Sequence, residues 1–292
     1  SEHPSYPPVS IIIPAYNEER AIASQIEAIK NVLNRHQITH ELIVVDDGSL
    51  DDTAKQTKRS DVRLIHHPEN RGYGAALKTG INAAKNETIV IIDADGTYPA
   101  DAIPSLLTKA QEYDMVVGAR IGSNVHIPFM RKPAKWFLQK LAGYLAGRPI
   151  PDLNSGLRVM KKPIVEMFYS ILPSGFSFTT TITLAFFCND YSIHYLPIEY
   201  KKRVGDSKIR PVHAYYFLLL ILRTIVYFNP LKVFLPLGGI LFTAGLIKFI
   251  YDIFLNNLSE SAIFGFLGGI LIWAIGLLSD QIAKVGFGSK IK

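Results

Sequence analysis

Cysteine is almost missing from this 292-residue chain, which has only Cys188. No intrachain disulfide can form, and nothing in the sequence points to an oxidising compartment. Acidic residues are scarce in two places. Between Met115 and Pro151 there is no Asp or Glu, although Arg120, Arg131, Lys132, Lys135, Lys140 and Arg148 lie there. From residue 200 onward 11 Lys/Arg stand against 4 Asp/Glu, whereas residues 1–199 carry 20 against 21. The net charge of +6 therefore belongs to the C-terminal third. An acid-free basic stretch suits phosphate or lipid headgroups. A basic excess beside apolar segments points to an anionic membrane surface more than to nucleic acid. There is no internal repeat and no low-complexity tract. Residues Ser1–Pro8 hold no apolar signal region, so the globular part is expected to stay in the cytoplasm.

Short apolar runs alternate with helical patterns over the first 120 residues. Val9–Pro14, Glu41–Asp46, Val62–His66, Thr88–Asp93 and Met115–Ala119 read as strands buried on both faces. Ile22, Ile26, Ile29 and Leu33 fall at helical spacing, and further helices are predicted over Asp51–Arg59, Tyr73–Ala84 and Ala100–Tyr113. This alternation implies an α/β fold with a mainly parallel, Rossmann-like sheet between helices, with ligands at the carboxyl ends of its strands.

Three apolar pieces follow. Val212–Asn229, rich in Tyr, Phe and Leu but interrupted by Arg223, reads as an amphipathic helix lying in the membrane interface. Val233–Tyr251 and Ala262–Ser279 are each long enough for one bilayer crossing. The connecting loop is acidic to neutral, while Lys201, Lys202, Arg203, Arg210, Lys284, Lys290 and Lys292 flank the other side. Positive charge marks the cytoplasmic face. The expected organisation is a cytosolic catalytic domain over 1–208, an interfacial helix over 209–230 and a two-helix inner-membrane anchor over 231–292.

Polar motifs sit at the expected strand ends. Pro14-Ala15-Tyr16-Asn17-Glu18 follows the first strand, where Tyr16 can pack on a flat base and Glu18 can accept hydrogen bonds from base or ribose. Asp46-Asp47-Gly48-Ser49 ends the second. Its adjacent carboxylates repel each other unless donors or a cation offset that, and uracil N3–H or ribose hydroxyls would serve. Asn70-Arg71-Gly72-Tyr73-Gly74 opens a helix, with glycines that allow close backbone approach. Asp93-Ala94-Asp95 ends the fourth strand. Residues two apart in extended chain point to one side, so both carboxylates are expected to aim at one spot, as hard oxygen ligands for Mg²⁺ or Mn²⁺.

The runs VSIIIPAYNEE, ELIVVDDGSLDDT, NRGYGAALKTGI and IVIIDADGTYP, in this order, resemble glycosyltransferase family 2 with its GT-A fold. Within it the chain looks most like the polyisoprenyl-phosphate glycosyltransferases, including dolichol-phosphate mannose synthases and bacterial undecaprenyl-phosphate glucosyltransferases. The resemblance continues through Asp152–Arg158 and Arg203–Lys208 into the membrane segments. It implies Pro14, Tyr16, Glu18, Asp46 and Asp47 at the nucleotide, and Asp95 with Asp93 at the metal. Arg120, Arg131, Arg203 and Lys208 match positions that handle diphosphate or lipid phosphate, with Arg158 grouped beside them. Asp152 matches a carboxylate near the sugar. Asp95, Asp152, Arg120 and Arg131 form the expected catalytic group. Thr97 stands where relatives often have a Gln ligand.

One departure bears on the acceptor. Relatives often carry a Glu in the segment matching Gly175–Leu184, which here reads GFSFTTTITL. A hydroxyl nucleophile needs a carboxylate to take its proton. A phosphate monoester, with a second pKa of about 6, is already largely ionised at pH 7. The resemblance implies inverting, metal-dependent transfer of a hexose from a nucleotide-sugar to polyprenyl phosphate, with UDP-glucose favoured and GDP-mannose and UDP-N-acetylglucosamine left open. It leaves prenyl length and homo-oligomerisation open. A processive polysaccharide synthase would carry Gln-x-x-Arg-Trp, which neither Trp136 nor Trp273 completes. A non-catalytic scaffold would be expected to lose the aspartates.

Overall fold

The computed structural model describes residues 6–60, 62–120, 140–144, 147–200, 212–256 and 259–288, of which 212–217, 220 and 286–288 as backbone only. Arg131, Arg203 and Lys208 lie outside the described residues.

A seven-stranded sheet organises residues 9–197. Its strands are β1 (Val9–Ala15), β2 (His40–Asp46), β3 (Arg63–His66), β4 (Thr88–Ile91), β5 (Met115–Ala119), β6 (Arg158–Lys161) and β7 (Ile193–Pro197), in the order β3-β2-β1-β4-β6-β5-β7. Among the described strands β6 alone runs antiparallel, pairing with β4 on one side and β5 on the other. The helices are α1 (Ile22–Arg35), α2 (Thr53–Lys58), α3 (Tyr73–Ala83), α4 (Ile103–Lys109), α5 (Lys162–Met167) and α6 (Phe178–Cys188).

Strand alternation splits the core into two layers. Val9, Ile11, Ile13, Val44, Val90 and Val116 pack under α1 and α4, where Ile22, Ile26, Ile29 and Leu33 form the buried stripe predicted from their spacing. Ile12, Ile43, Val45, Ile89, Ile91 and Val117 face the opposite way, against Leu77 and Ile81 of α3 and Ile182 and Phe186 of α6. Every residue of β1 is buried, so truncating one, such as Ile12→Ala, costs about 2–5 kcal/mol. The order around β1 and β4 creates a switch point, because β1 connects toward β2 while β4 lies on its other side. A crevice opens at the carboxyl ends of strands at such a point.

A third apolar cluster joins this body to α7 (Val212–Phe228). Ile221 and Ile225 pack with Ile150, Leu153, Leu184 and Phe187, and Phe228 meets Phe168 edge-on at 5.9 Å. α8 (Leu231–Phe254) and α9 (Glu260–Gly288) then form a hairpin, and both are long and apolar enough to cross a membrane. Glycines let them close. A Cβ on Gly245 would overlap the backbone of Gly265 and Phe266, and one on Gly238 would overlap Trp273. Trp273 Nε1 donates to Leu235 O at 3.0 Å, and its ring stacks on Phe242 at 5.0 Å. The outer faces, including Ile240, Ile247, Phe254, Phe264, Leu271 and Ile282, are exposed.

Candidate active site

All the predicted polar motifs that are described reach one edge of the sheet. The loops after β1 and β2 are sewn together there. Asn17, held at φ 54°, donates its N–H to Ser49 Oγ at 2.9 Å and accepts Leu50 N–H at 2.8 Å. Glu18 N–H donates to Thr53 Oγ1 at 2.8 Å. Pro14 is buried at the strand end, while Tyr16 and Glu18 are half-buried beyond it.

Asp46 and Asp47 are buried, and their mutual repulsion is offset by the protein rather than by the ligand donors expected. Asp46 pairs with His66 Nδ1 at 2.8 Å and accepts Ser49 N–H at 3.1 Å. Asp47 pairs with His67 Nδ1 at 2.6 Å and accepts the N–H groups of Arg71 at 3.0 Å and Gly72 at 2.8 Å. A carboxylate only accepts, so the facing imidazole nitrogens are the donors. Asp47 is thus the strut of the 67–72 loop, and a base reaching either residue must share an oxygen already in use. Gly72 takes φ 100°, and a Cβ there would also strike the Ser174 carbonyl, so the loop needs glycine.

Asp93 and Asp95 follow β4 at the switch point. Ladder pairing stops at Ile91, and Ala94–Asp95 form a turn, so the period-two geometry expected of an extended strand end does not hold there. Each carboxylate is instead held separately. Tyr73 Oη–H donates to Asp93 Oδ1 at 2.8 Å, and Gly156 abuts the same group so closely that a Cβ would overlap it. Thr97, itself 1% exposed, donates both its N–H (3.1 Å) and its hydroxyl (2.6 Å) to Asp95 Oδ1. Burial, then the negative charge of Asp93, pushes the Tyr73 phenol well above its ordinary range, which keeps it a donor.

Arg120 follows β5 and meets Asp152 through a two-pronged pair, Nε to Oδ2 at 2.7 Å and Nη2 to Oδ1 at 2.8 Å, with the Arg120 N–H adding a third bond at 3.1 Å. Burial would raise the Asp152 carboxyl, but the bonds and charge of Arg120 outweigh it and hold the group below its usual range. Burial would equally lower Arg120, and Asp152 raises it instead. The guanidinium also lies 5.4 Å from the Tyr200 ring centroid, a cation–π distance. Asp152 is anionic and engaged, a partner for Arg120 rather than a spare base.

Glycosyl transferase family 2 matches residues 10–168 as a family, more than half of the chain, and the GtrB C-terminal hairpin matches residues 229–285. The chain belongs to glycosyl transferase family 2. Among its relatives is a dolichyl-phosphate hexose transferase of Haloferax volcanii, 28% identical over 70% of this chain and 87% of that protein. Another is an undecaprenyl-phosphate 4-deoxy-4-formamido-L-arabinose transferase of Proteus mirabilis, 28% identical over 95% and 89%. Among solved structures, glucosyl-3-phosphoglycerate synthase of Mycobacterium tuberculosis, in complex with Mn²⁺, UDP-glucose and phosphoglyceric acid, superposes with TM-score 0.60 at 21% identity, covering 75% of this chain and 80% of that one. That likeness shows the GT-A-type fold. The resemblance read from the motifs is borne out, and the protein is a glycosyltransferase.

Arg158 of this glycosyltransferase stands apart from the phosphate role expected for it. It is 0% exposed. Its guanidinium donates to Ser155 O (2.8 Å), Leu153 O (2.9 Å) and Thr183 Oγ1 (2.6 Å), and Nη1 lies 3.4 Å from Met115 Sδ. It ties the 152–158 loop to β5 and α6 from inside. The same loop is fixed by Ser155 Oγ to Gly118 O (2.5 Å), Gly156 N–H to Tyr98 Oη (2.7 Å) and Thr180 Oγ1 to Asn154 Oδ1 (2.6 Å). Nothing in the residue pattern marks the roles of Tyr73, Tyr98 and Gly156 at this site. A signal for the histidines was present, because β2 and β3 pair in parallel with Asp46 opposite His66.

A metal fits the donor set. Among the described residues no three His, Cys, Asp or Glu side chains gather as a cage. Asp93 and Asp95 offer hard carboxylate oxygens, and Mg²⁺ is commonly bound by one or two carboxylates plus substrate phosphates and water.

Proposed function

We propose that this glycosyltransferase moves a hexose from a nucleotide-sugar, UDP-glucose first, to the phosphate of a polyprenyl-phosphate lipid at the cytoplasmic membrane face. One observation carries the reading. The loop that presents Asp152 and Gly156 to the Arg120 and Asp93 side chains rests, through Ile150 and Leu153, on α7, which leads directly into the apolar hairpin. Site and anchor are therefore mechanically one unit. The names of the two relatives, which act on dolichyl and undecaprenyl phosphate, support the same acceptor class.

In this reading Pro14, Tyr16 and Glu18 line the nucleotide, with Asp46 and Asp47 behind them. Asp93 and Asp95 would hold Mg²⁺ or Mn²⁺, which would supply positive charge against the negative charge developing on the departing diphosphate. Arg120 faces the diphosphate or lipid phosphate, as do Arg131, Arg203 and Lys208. A lipid-phosphate oxygen attacks the anomeric carbon, and the carbon–oxygen bond to the nucleoside diphosphate breaks with its electron pair leaving on the diphosphate. The configuration inverts. No proton has to be removed from an ionised phosphate, in keeping with α6, whose residues 178–188 contain no acid and are almost wholly buried.

The proposed organisation is catalytic domain 1–208, interfacial helix 209–230 and anchor 231–292. Lys232 and Lys284 lie toward the catalytic side of the hairpin, and Asp252, Ser259 and Glu260 toward its turn, which favours a cytoplasmic catalytic domain. The test uses purified protein, Mn²⁺ or Mg²⁺, undecaprenyl phosphate and a panel of radiolabelled UDP- and GDP-sugars. Label from one donor should pass into the organic phase only with metal. Absence of transfer from every donor, with nucleotide binding intact, would refute the acceptor assignment.

A further inference from the structure

The two carboxylates proposed for the metal hang on two hydroxyl groups from different parts of the chain. Tyr73, at the first turn of α3, donates to Asp93 Oδ1 at 2.8 Å, and Thr97 donates to Asp95 Oδ1 at 2.6 Å. Neither carboxylate sits in the regular ladder, which ends at Ile91. Side-chain rotation there has to be restrained by local bonds. Tyr73 is itself clamped, because its ring stacks on Phe176 with centroids 5.7 Å apart and planes inclined by 16°. The loop that carries Phe176 sits directly on the start of α3, where Cβ atoms on Gly72 or Gly74 would collide with the Ser174 or Pro173 carbonyls. Gly74 and Ala76 are buried, so Tyr73 has no freedom to swing away. Phe176 is 78% exposed, an apolar ring kept at the surface directly over the residue that holds Asp93.

We propose that Tyr73 and Thr97 are positioning residues for the metal–diphosphate site, each fixing one carboxylate of the Asp93/Asp95 pair through a single oxygen, with Phe176 as the clamp that keeps the Tyr73 hydroxyl on Asp93. This rests on the metal-assisted reading above. The physical basis is preorganisation. A fixed hydroxyl donating to one carboxylate oxygen restrains the torsion that would turn the group away from the ion. Outer-shell partners of this kind typically alter metal affinity by about 10–100-fold. The Thr97 backbone N–H bond at 3.1 Å survives a side-chain change, so a substitution there isolates the share of the hydroxyl.

The test titrates Mn²⁺ into the full-length protein in detergent, in the presence of whichever of UDP or GDP the wild type binds, and follows free Mn²⁺ by electron paramagnetic resonance. Tyr73→Phe keeps the ring stack and removes the hydroxyl. Thr97→Val removes the second hydroxyl, and Thr97→Ser restores it. The expected result is an Mn²⁺ dissociation constant raised about tenfold in Tyr73→Phe and in Thr97→Val. Thr97→Ser should sit near wild type, and Phe176→Ala between. The Mn²⁺ concentration giving half-maximal activity should rise in parallel, with KM for undecaprenyl phosphate unchanged. Wild-type Mn²⁺ affinity in both Tyr73→Phe and Thr97→Val would overturn the inference and leave the metal reading standing. If the wild type binds no Mn²⁺ with either nucleotide, the metal reading falls and the inference with it. Loss of affinity in Thr97→Ser equal to that in Thr97→Val would also overturn it, by showing that bulk rather than the hydroxyl matters.

Discussion

Two acidic pairs lie at the carboxyl ends of β2 and β4, the strands on either side of β1, and they are built in opposite ways. Asp46 closes the β2 ladder and Asp47 follows it; both are buried and are answered by two histidines and three backbone N–H groups. Asp93 and Asp95 lie beyond the end of β4, are only half-buried, and are tethered by the hydroxyls of Tyr73 and Thr97. The first pair is a piece of architecture that shapes the 67–72 loop. The second has the exposure and the restraint that ligation demands. Adjacent carboxylates in a sequence say nothing about this division, because the donors that decide it come from elsewhere in the chain.

The comparison can be broken by mutation. Asp95→Asn should show the largest effect, a loss of turnover of about a thousandfold, on the order of 4 kcal/mol of transition-state stabilisation, with the melting temperature unchanged; initial-rate transfer assays and thermal unfolding in detergent check both halves. Asp47→Ala should do the reverse. It strands three donors in a buried place and should destabilise the catalytic domain by about 3 kcal/mol, visible as a lowered melting temperature. In the anchor, Gly265→Leu places bulk against Gly245 and should cost about 1–3 kcal/mol by overpacking, read as earlier aggregation on heating in detergent. Arg120→Lys loses the two-pronged geometry with Asp152 and should lower kcat/KM about tenfold.

The smallest effect is a pH dependence. The folded-state Asp152 carboxyl is depressed by Arg120. Its contribution to stability is therefore present above the unfolded value of about 3.9 and is lost as pH falls through the lower folded value. The melting-temperature gap between wild type and Asp152→Asn should hold from pH 7 to about 5 and shrink below about 4.

Much of the architecture could be read from residue pattern. The five predicted strands and the stripe of Ile22, Ile26, Ile29 and Leu33 are present within a residue or two, because strands buried on both faces and one-sided helices leave strong periodic signals. β6 and β7 were missed. β6 has only four residues and begins with a buried arginine, while β7 is half-exposed along its length. Neither shows a pattern that periodicity detects. The predicted helix over Ala100–Tyr113 is shorter in the structure, a 3₁₀ turn followed by α4 ending at Lys109. At the candidate site, the loops carrying the motifs after β1, β2 and β4 meet at the carboxyl ends of the strands. What residue identity could not supply was which side chains face one another: that Arg158 points inward to Thr183, that Asp152 belongs to Arg120, and that Tyr73 reaches Asp93 from 20 residues away.

The most direct test of the central claim compares two acceptors in one assay. Label from the preferred nucleotide-sugar is followed into undecaprenyl phosphate and into undecaprenol, with metal and with chelator, for wild type and Asp95→Asn. The account predicts transfer to the phosphate alone, abolished by the chelator and by the substitution. Equal transfer to the alcohol, or full activity in Asp95→Asn, would contradict it.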